Sequence, residues 1–193
     1  MSKKIFVTQS IPGSGINRLK EKGYEVTVSK KKGILSTKEL IGELQKKQYD
    51  AVLSLLTNQL DGKVFDACPT AKMYANYAVG FNNVNLDDAK KRGITVSNTP
   101  GEIIGEVVGD HTFALLLALS SRIVESDTFV RKGKYKGWDP MLFIGDDISG
   151  KTVAIIGTGR IGEKVARKLY AGFGAKIIYY DVVRNERIEK DCN

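Results

Sequence analysis

A glycine-rich segment between two apolar runs constrains the fold of this 193-residue chain more than any other feature. The run Val153–Ile156 is β-branched and apolar, which is typical of a strand buried on both faces. Gly157, Gly159 and Gly162 follow it with the spacing G-x-G-x-x-G. In this motif the first glycine permits a tight turn, the second lets the backbone approach a pyrophosphate, and the third allows close packing of helix on strand. The segment therefore predicts a dinucleotide-binding strand–turn–helix unit.

The residues after the glycines complete a βαβ pattern. A helix is predicted from about Arg160 to Tyr170, with apolar residues at core spacing: Ile161, Val165, Ala166 and Leu169. Its N-terminus would offer unpaired N–H groups and a positive dipole end to phosphate.

Asp181 ends the next predicted strand, Ile177–Tyr180. A carboxylate at this place would accept hydrogen bonds from both ribose hydroxyls of an adenosine. It would also repel a 2′-phosphate, so the pattern favours NAD over NADP, and Arg184 tempers that preference without reversing it. The alternative interpretation of Asp181 is a solvated strand end.

The composition is that of an ordinary globular protein, with 42% hydrophobic and 27% charged residues. No span approaches the roughly 20 apolar residues that a transmembrane helix needs. The longest such run, Phe113–Leu119, follows Asp110 and His111. Lys3 and Lys4 lead into a very short apolar run, so a signal peptide is not predicted. We expect no membrane partner and a cytoplasmic location.

The cysteines and the basic residues indicate no further class of partner. Cys68 and Cys192 lack metal-ligand spacing and do not form a disulfide framework, so we expect no metal site and a buried Cys68. The net charge of +8 raises the question of nucleic acid binding. However, the only dense basic cluster, at residues 30–32, has no interleaved aromatic residues to stack on bases. Nucleic acid is therefore not an expected partner.

Strand and helix patterns alternate from the N-terminus. A helix begins at a cap formed by Ser36 or Thr37. Strands are predicted at Ile5–Thr8, Tyr24–Val28, Ala51–Leu56, Met73–Tyr77 and Ile94–Ser97. Five short strands separated by helices predict an α/β fold with a doubly wound parallel sheet.

The pattern breaks at Asn98–Gly101, after which one long apolar helix is predicted from about Glu102 to Arg131. A loop with Trp138, Met141 and Phe143 follows. We therefore predict two domains, residues 1–98 and residues 99–193, with residues 102–131 as an interdomain and dimer helix. A ligand is expected in the cleft between the domains.

Several motifs resemble the D-isomer-specific 2-hydroxyacid dehydrogenases, nearest to the glyoxylate and hydroxypyruvate reductase branch. They are Asn76–Leu86, Gly93–Gly101, Asp110–Leu119, Gly137–Pro140 and Gly157–Gly162, in family order along the chain. The resemblance implies a flavodoxin-like substrate domain followed by a Rossmann NAD-binding domain. Because family members run to more than 300 residues, it also implies that only the N-terminal part is present and that the Rossmann domain is truncated.

The resemblance also implies the roles of particular residues. The backbone N–H groups of Val79 and Gly80 would hold the substrate carboxylate, with Val79 also near the nicotinamide, and Leu55 would line the same pocket. Without the resemblance, Val79 and Gly80 would be interpreted as an ordinary turn. The residues implied to bind the cofactor are Val79, Gly157, Thr158, Gly159, Arg160, Ile161, Gly162 and Asp181.

No catalytic residue is expected within this chain. His111, the only histidine, falls where the family uses its helix for packing and dimer contact. The family's catalytic arginine, glutamate and histidine would lie beyond Asn193. The implied activity is NADH-dependent reduction of a small 2-oxo acid, such as glyoxylate or hydroxypyruvate, to the D-2-hydroxy acid, by a homodimer. The alternative is a non-catalytic, NAD-responsive binding protein on the same scaffold.

Overall fold

The computed structural model describes residues 2–192, whose contacts divide them into two compact units, one ending at Pro100 and the other beginning at Gly101. The first unit contains five strands: β1 (Lys4–Val7), β2 (Glu25–Val28), β3 (Ala51–Leu55), β4 (Met73–Tyr77) and β5 (Thr95–Ser97). All pairings are parallel and the strand order is β2-β1-β3-β4-β5. This is the flavodoxin-like order, so the predicted doubly wound sheet is confirmed, and each predicted strand is correct to within one residue at both ends.

Four helices accompany this sheet: α1 (Gly13–Glu21), α2 (Thr37–Gln45), α3 (Gly62–Asp66) and α4 (Leu86–Lys91). Ser36 caps α2, which decides between the two predicted caps. Its hydroxyl accepts a hydrogen bond from the Glu39 N–H, and the Glu39 carboxylate accepts one from the Ser36 N–H at 2.8 Å. Hydrogen bonds from Lys31 and Ser36 lower the pKa of Glu39 to about 2.

One face of the sheet forms the main core of the first unit. Phe6, Val52 and Tyr74 lie side by side on β1, β3 and β4 and are at most 1% exposed. They pack with buried residues from α2, α3 and the neighbouring loops, including Leu40, Leu44, Leu60, Val64, Phe65 and the predicted buried Cys68. This packing fixes the register of the three strands against one another. It therefore also fixes the position of the loops at their carboxyl ends.

The second unit contains α5 (Glu102–Ser120), α6 (Ile123–Arg131), β6 (Thr152–Ile156), α7 (Arg160–Phe173), β7 (Lys176–Tyr180) and α8 (Glu186–Cys192). Strands β6 and β7 pair in parallel, from Thr152 opposite Lys176 to Ile156 opposite Tyr180, with α7 as the crossover. The predicted βαβ unit is therefore confirmed. Helix α7 extends three residues beyond its predicted end and stops at Gly174, which adopts a left-handed conformation with φ 58°.

The prediction of one helix over residues 102–131 is wrong, because the chain breaks between α5 and α6. Arg122 has a left-handed φ of 51°. The Ser120 carbonyl, which a continuing helix would pair within itself, accepts a hydrogen bond from the Asp146 N–H at 2.9 Å. The loop also fits tightly here, since a β-carbon on Gly145 would overlap that same carbonyl oxygen. A loop distant in sequence therefore ends α5.

Helix α5 packs closely on α7 through small residues. Gly105 and Gly109 are buried, and a β-carbon at either would lie 3.3 Å from α7, from the Arg160 carbonyl oxygen and the Lys164 β-carbon respectively. Acidic residues of α5 also pair with basic residues of α7: Glu106 with Lys164 at 2.7 Å and Lys168 at 3.2 Å, and Asp110 with Lys168 at 2.5 Å. Close backbone approach and ion pairs therefore join the two helices.

By length and composition α5 could cross a membrane, with 19 residues and a mean hydropathy of 1.5 over an 18-residue window. The expectation that no segment of this chain reaches that size is therefore wrong. A single such helix is weak evidence for a membrane span. Because Glu106 and Asp110 pair with lysines of α7, we interpret α5 as a packing helix of the second unit.

The sheet of the second unit is covered on one face only. Val153 and Ile155 pack with the cluster under α7, whereas Ile156 is 86% exposed and its neighbours Ile178 and Tyr180 on β7 are 56% and 69% exposed. The prediction that Val153–Ile156 is buried on both faces is wrong. Among residues 101–192 no helix covers the second face, so alternate residues of both strands remain exposed.

Candidate functional site

The candidate site of the first unit is the turn that follows β4. Leu55, at the end of β3, lies opposite Tyr77 at the end of β4, so both strands deliver their loops to the same edge of the sheet. In doubly wound folds this edge, at the carboxyl ends of the strands, is where ligands bind. Val79 and Leu55 are half-buried and Gly80 is exposed. The structure therefore places the three sequence-predicted substrate residues at one edge.

The carbonyl groups of this turn are held by the protein. The Ala78 carbonyl accepts a hydrogen bond from the Thr99 N–H at 2.8 Å, and the Val79 carbonyl accepts one from Asn98 Nδ2 at 2.7 Å. The Gly80 carbonyl accepts one from Asn76 Nδ2 at 3.0 Å. The N–H groups of Val79 and Gly80 have no acceptor among residues 2–192. Two consecutive free N–H groups form a concavity that suits an anion without any cationic side chain.

A buried polar network lies beneath this turn, and sequence reasoning missed it. Asn76 is 1% exposed and exchanges two hydrogen bonds of 3.2 Å with Asn83, which is 4% exposed. Asn83 also donates to the Asn58 carbonyl at 2.9 Å, and Thr8 donates to Asn58 Oδ1 at 2.6 Å. The network therefore connects the ends of β1, β3 and β4. An asparagine two residues after the core residue Tyr74, and therefore on the same face of β4, is the sequence pattern that could have revealed it.

The candidate site of the second unit is the glycine loop between β6 and α7. Gly157 has a φ of 89°, a conformation that favours glycine, and a β-carbon on Gly162 would overlap the Gly157 carbonyl oxygen. The backbone conformation at Gly157 and the close packing at Gly162 therefore favour glycine at these two positions. Gly159 is different, because a β-carbon there would meet nothing within 4 Å. Open space beside this backbone is what a closely approaching pyrophosphate needs, so the loop fits a dinucleotide.

Helix α7 begins directly after this loop. The Glu163 N–H is the first to bond back within the helix, to the Gly159 carbonyl at 3.0 Å, so the N–H groups before it are available to a ligand. Arg160 and Ile161 are exposed at this terminus. Ile161 is 41% exposed, which corrects its prediction as a core residue, whereas Val165, Ala166 and Leu169 are buried as predicted.

Asp181 closes the site at the end of β7. Its Oδ2 accepts hydrogen bonds from the Thr158 N–H at 2.5 Å and from the Thr158 hydroxyl at 3.0 Å, and its Oδ1 accepts one from the Val182 N–H at 2.7 Å. These bonds, those from Thr158 foremost, lower the pKa of Asp181 below its ordinary value. The structure therefore brings together a charged carboxylate and the glycine loop, a contact that the sequence did not predict.

A cavity of about 530 Å³ opens at this point. Its lining includes loop residues, Asp181 and the start of α8: Thr158, Gly159, Glu163, Asp181, Arg184 and Asn185. Asn185 fixes one wall, because its Nδ2 donates to the Thr158 carbonyl at 2.7 Å. The cavity is large enough for part of a nucleotide and carries both signs of charge.

The remaining singled-out residues lie on the surface. The His111 side chain is exposed on α5, and no side-chain hydrogen bond or ion pair joins it to another of residues 2–192. Trp138 is 83% exposed and Met141 is 72% exposed, whereas Phe143 packs edge-on against Phe129 with ring centroids 5.2 Å apart. Trp138 and Met141 therefore extend into solvent, whereas Phe143 packs within the second unit.

Comparison with known proteins agrees with this geometry. Residues 113–193 match the model of the D-isomer specific 2-hydroxyacid dehydrogenase NAD binding domain. The chain is also 44% identical over 192 residues to a glyoxylate reductase of Korarchaeum cryptofilum, covering 99% of this chain and 56% of that protein. By this match and this identity, the chain is similar to the D-isomer-specific 2-hydroxyacid dehydrogenases. It spans about half the length of the curated relatives it matches.

Solved structures give the same result for the fold. A protein from Thermus thermophilus superposes with a TM-score of 0.87 at 33% identity, covering 98% of this chain and 62% of that one. The D-lactate dehydrogenase of Aquifex aeolicus, crystallised with NAD and lactic acid, superposes with a TM-score of 0.76 at 27% identity, covering 98% of this chain and 54% of that one. NAD is the cofactor of the matched domain, as the glycine spacing and Asp181 together predicted.

Proposed function

We propose that the complete protein reduces a small 2-oxo acid, such as glyoxylate or hydroxypyruvate, to the D-2-hydroxy acid with NADH. The observation that carries this proposal is the contact of Asp181 with Thr158 beside the open backbone of Gly159. That arrangement supplies a ribose acceptor and a pyrophosphate cradle at one point. Relatives named glyoxylate reductase, one of them 44% identical to this chain, support the choice of substrate class.

The two units have different roles in this proposal. The first, residues 1–98, is the substrate domain, and residues 99–193 begin the NAD-binding domain. In the first unit, the N–H groups of Val79 and Gly80 bind the substrate carboxylate, and Leu55 lines the pocket beside them. In the second unit, the start of α7 binds the pyrophosphate through Arg160 and Ile161, while Asp181 accepts hydrogen bonds from the ribose hydroxyls.

NADH would supply the hydride that reduces the carbonyl carbon of the substrate. The residues of this chain orient both reactants, since the Val79–Gly80 turn fixes the carboxylate and the glycine loop fixes the dinucleotide. The proton for the new hydroxyl must come from another group. His111 does not suit this task, because it lies exposed on α5. We propose that an arginine, a glutamate and a histidine encoded beyond residue 193 orient and protonate the substrate.

The proposal is tested by titrating the purified 193-residue chain with NADH and NADPH in a calorimeter. NADH should bind more tightly than NADPH, and Asp181→Ala should narrow the difference, because the carboxylate repels the 2′-phosphate. The same chain should not consume NADH with glyoxylate, whereas the complete protein should. Equal affinity for both dinucleotides would contradict the proposed role of Asp181. Steady turnover by the isolated chain would contradict the proposal that the proton donor lies beyond residue 193. A complete protein that binds NADH without reducing any 2-oxo acid would favour a non-catalytic binding protein.

We also propose a cytoplasmic location without nucleic acid partners. Both cysteines, Cys68 and Cys192, are free thiols buried in the structure, which suits a reducing compartment. Within the basic cluster at residues 30–32, Lys31 is paired with Glu39 at 2.6 Å, which reduces the positive charge available to a phosphate backbone.

A further inference from the structure

Arg184 lies on the wall of the dinucleotide cavity, three residues after Asp181. An arginine near the ribose acceptor is the group that accommodates the 2′-phosphate of NADP in Rossmann domains, because a guanidinium binds phosphate with paired hydrogen bonds. Arg184 is 72% exposed, so solvent and ligand can reach it. Whether it favours NADP therefore depends on what already holds its guanidinium.

Glu189 holds it. Arg184 Nε donates to both carboxylate oxygens of Glu189, at 3.0 Å and 2.9 Å, and Arg184 Nη2 donates to Oε2 at 2.6 Å. The Tyr179 hydroxyl donates to Oε1 at 2.6 Å and accepts the Asn185 N–H at 2.9 Å. The carboxylate is therefore fixed from both sides, by strand β7 and by the segment that carries Arg184. Glu189 lies on α8, and the neighbouring Ile188 is buried against α7 and β7. This packing holds α8, and with it Glu189, in place.

We propose that Glu189 is a specificity-determining residue that withholds Arg184 from a 2′-phosphate and so keeps this site selective for NAD. The inference rests on the NAD site proposed above. A 2′-phosphate would meet the like charges of Asp181 and Glu189, and Glu189 already occupies the Nε–Nη2 edge through which Arg184 would bind a phosphate with paired hydrogen bonds. Arg187 also lines the cavity, but its only ion pair among the described residues, with Glu163, is long at 3.9 Å. Arg187 is unchanged in all the variants below, so its contribution to phosphate binding is the same in each of them.

The test is calorimetric titration of the 193-residue chain with NADPH and NADH at low ionic strength, where exposed charge pairs are least screened. Glu189→Gln keeps the shape of the side chain and removes its charge. It should tighten NADPH binding by about fivefold, which is near the upper end for an exposed ion pair, and change NADH binding by less than about twofold. The double variant Glu189→Gln/Arg184→Ala should lose that gain. Circular dichroism of each variant establishes that it is folded.

Glu186→Gln is the matched control, because Glu186 lines the same cavity but does not contact Arg184. If it tightens NADPH binding as much as Glu189→Gln does, the effect is general electrostatics and the proposal is wrong. Arg184→Ala alone provides an independent test that leaves Glu189 in place. It should weaken NADPH binding by less than about twofold, whereas a larger loss would show that Arg184 already serves the phosphate.

These outcomes separate the inference from the proposed function. If the unmodified chain binds NADH and Glu189→Gln leaves NADPH binding unchanged, only the role of Glu189 is wrong. If the unmodified chain binds neither dinucleotide, the NAD site itself is wrong, and the inference fails with it.

Discussion

At the scale of single residues, the strongest structural constraint on the candidate substrate turn comes from Asn76. Its amide is buried and binds both Asn83 and the Gly80 carbonyl, so one side chain sets the position of a turn four residues away. Burying an amide is favourable only when its polar atoms are paired, and this network pairs them. The sequence shows Asn76 in a strand but does not show its partners, because Asn58, Asn83 and Thr8 reach it only through the fold.

Replacing Asn76 tests this network. Asn76→Leu keeps most of the volume but removes the side-chain donor to the Gly80 carbonyl and to Asn83 Oδ1, so the free energy of unfolding should fall by about 1–3 kcal/mol. Urea unfolding monitored by circular dichroism measures the change. Asn17→Leu, at an exposed position on α1, is the control and should change the value by less than about 0.5 kcal/mol. Equal effects of the two substitutions would show that the network does not stabilise the unit.

At the scale of elements, the βαβ unit could be predicted closely and the α5–α6 region could not. Strand β6, α7 and β7 follow from local patterns, since glycine spacing and apolar periodicity depend on neighbouring residues. The end of α5 depends on a hydrogen bond from Asp146 to Ser120, which lie 26 positions apart in the chain. Apolar periodicity alone continues through residue 131, so it could not reveal the break.

Two glycines of α7 provide a matched test of the loop geometry. Gly162→Ala should destabilise the second unit and abolish NADH binding, because its β-carbon would overlap the Gly157 carbonyl oxygen and push helix from strand. Gly172→Ala, where a β-carbon meets nothing within 4 Å, should instead stabilise the protein by about 0.5–1 kcal/mol. Thermal unfolding and NADH titration measure both. A Gly162→Ala protein that binds NADH normally would contradict the close packing described here.

At the scale of the whole molecule, α5 and α6 expose apolar side chains that packing within the second unit does not cover. Ile103 and Leu119 are each 79% exposed, Val124 is 70% exposed and Val107 is 60% exposed. Exposed apolar patches of this kind mark interfaces between protein molecules. We propose that these helices and the Trp138 loop form a two-fold dimer interface, as the sequence analysis predicted.

The dimer is tested in the complete protein by multi-angle light scattering at micromolar concentration. The unmodified protein should have the mass of a dimer, and Leu119→Glu should shift it toward the monomer, because a buried unpaired carboxylate opposes association. Leu56→Glu is the control, since Leu56 is similarly exposed at 62% but lies in the first unit. A monomeric unmodified protein would contradict the proposed interface.

The two sheets should also differ in stability. Strand β3 has neighbours on both sides and a closed core beneath it, whereas β6 pairs only with β7 and leaves one face exposed. In the isolated 193-residue chain, amides of Thr152–Ile156 should therefore exchange with deuterium faster than those of Ala51–Leu55. Mass spectrometry of a monomeric sample measures this difference. Equal protection of the two strands would show that the second unit needs no further cover.

By itself the sequence determined the α/β fold class, the βαβ unit, the glycine loop and the place of Asp181 at the end of a strand. Each of these depends on patterns among residues that are close together in the chain. Only the tertiary structure decided which residues support those sites. It paired Asp181 with Thr158, built the network of Asn76 and Asn83 under the Val79–Gly80 turn, and engaged Arg184 with Glu189. Local periodicity predicts an element and its faces, but a hydrogen bond between side chains is set by the packing of whole elements, which no local pattern contains.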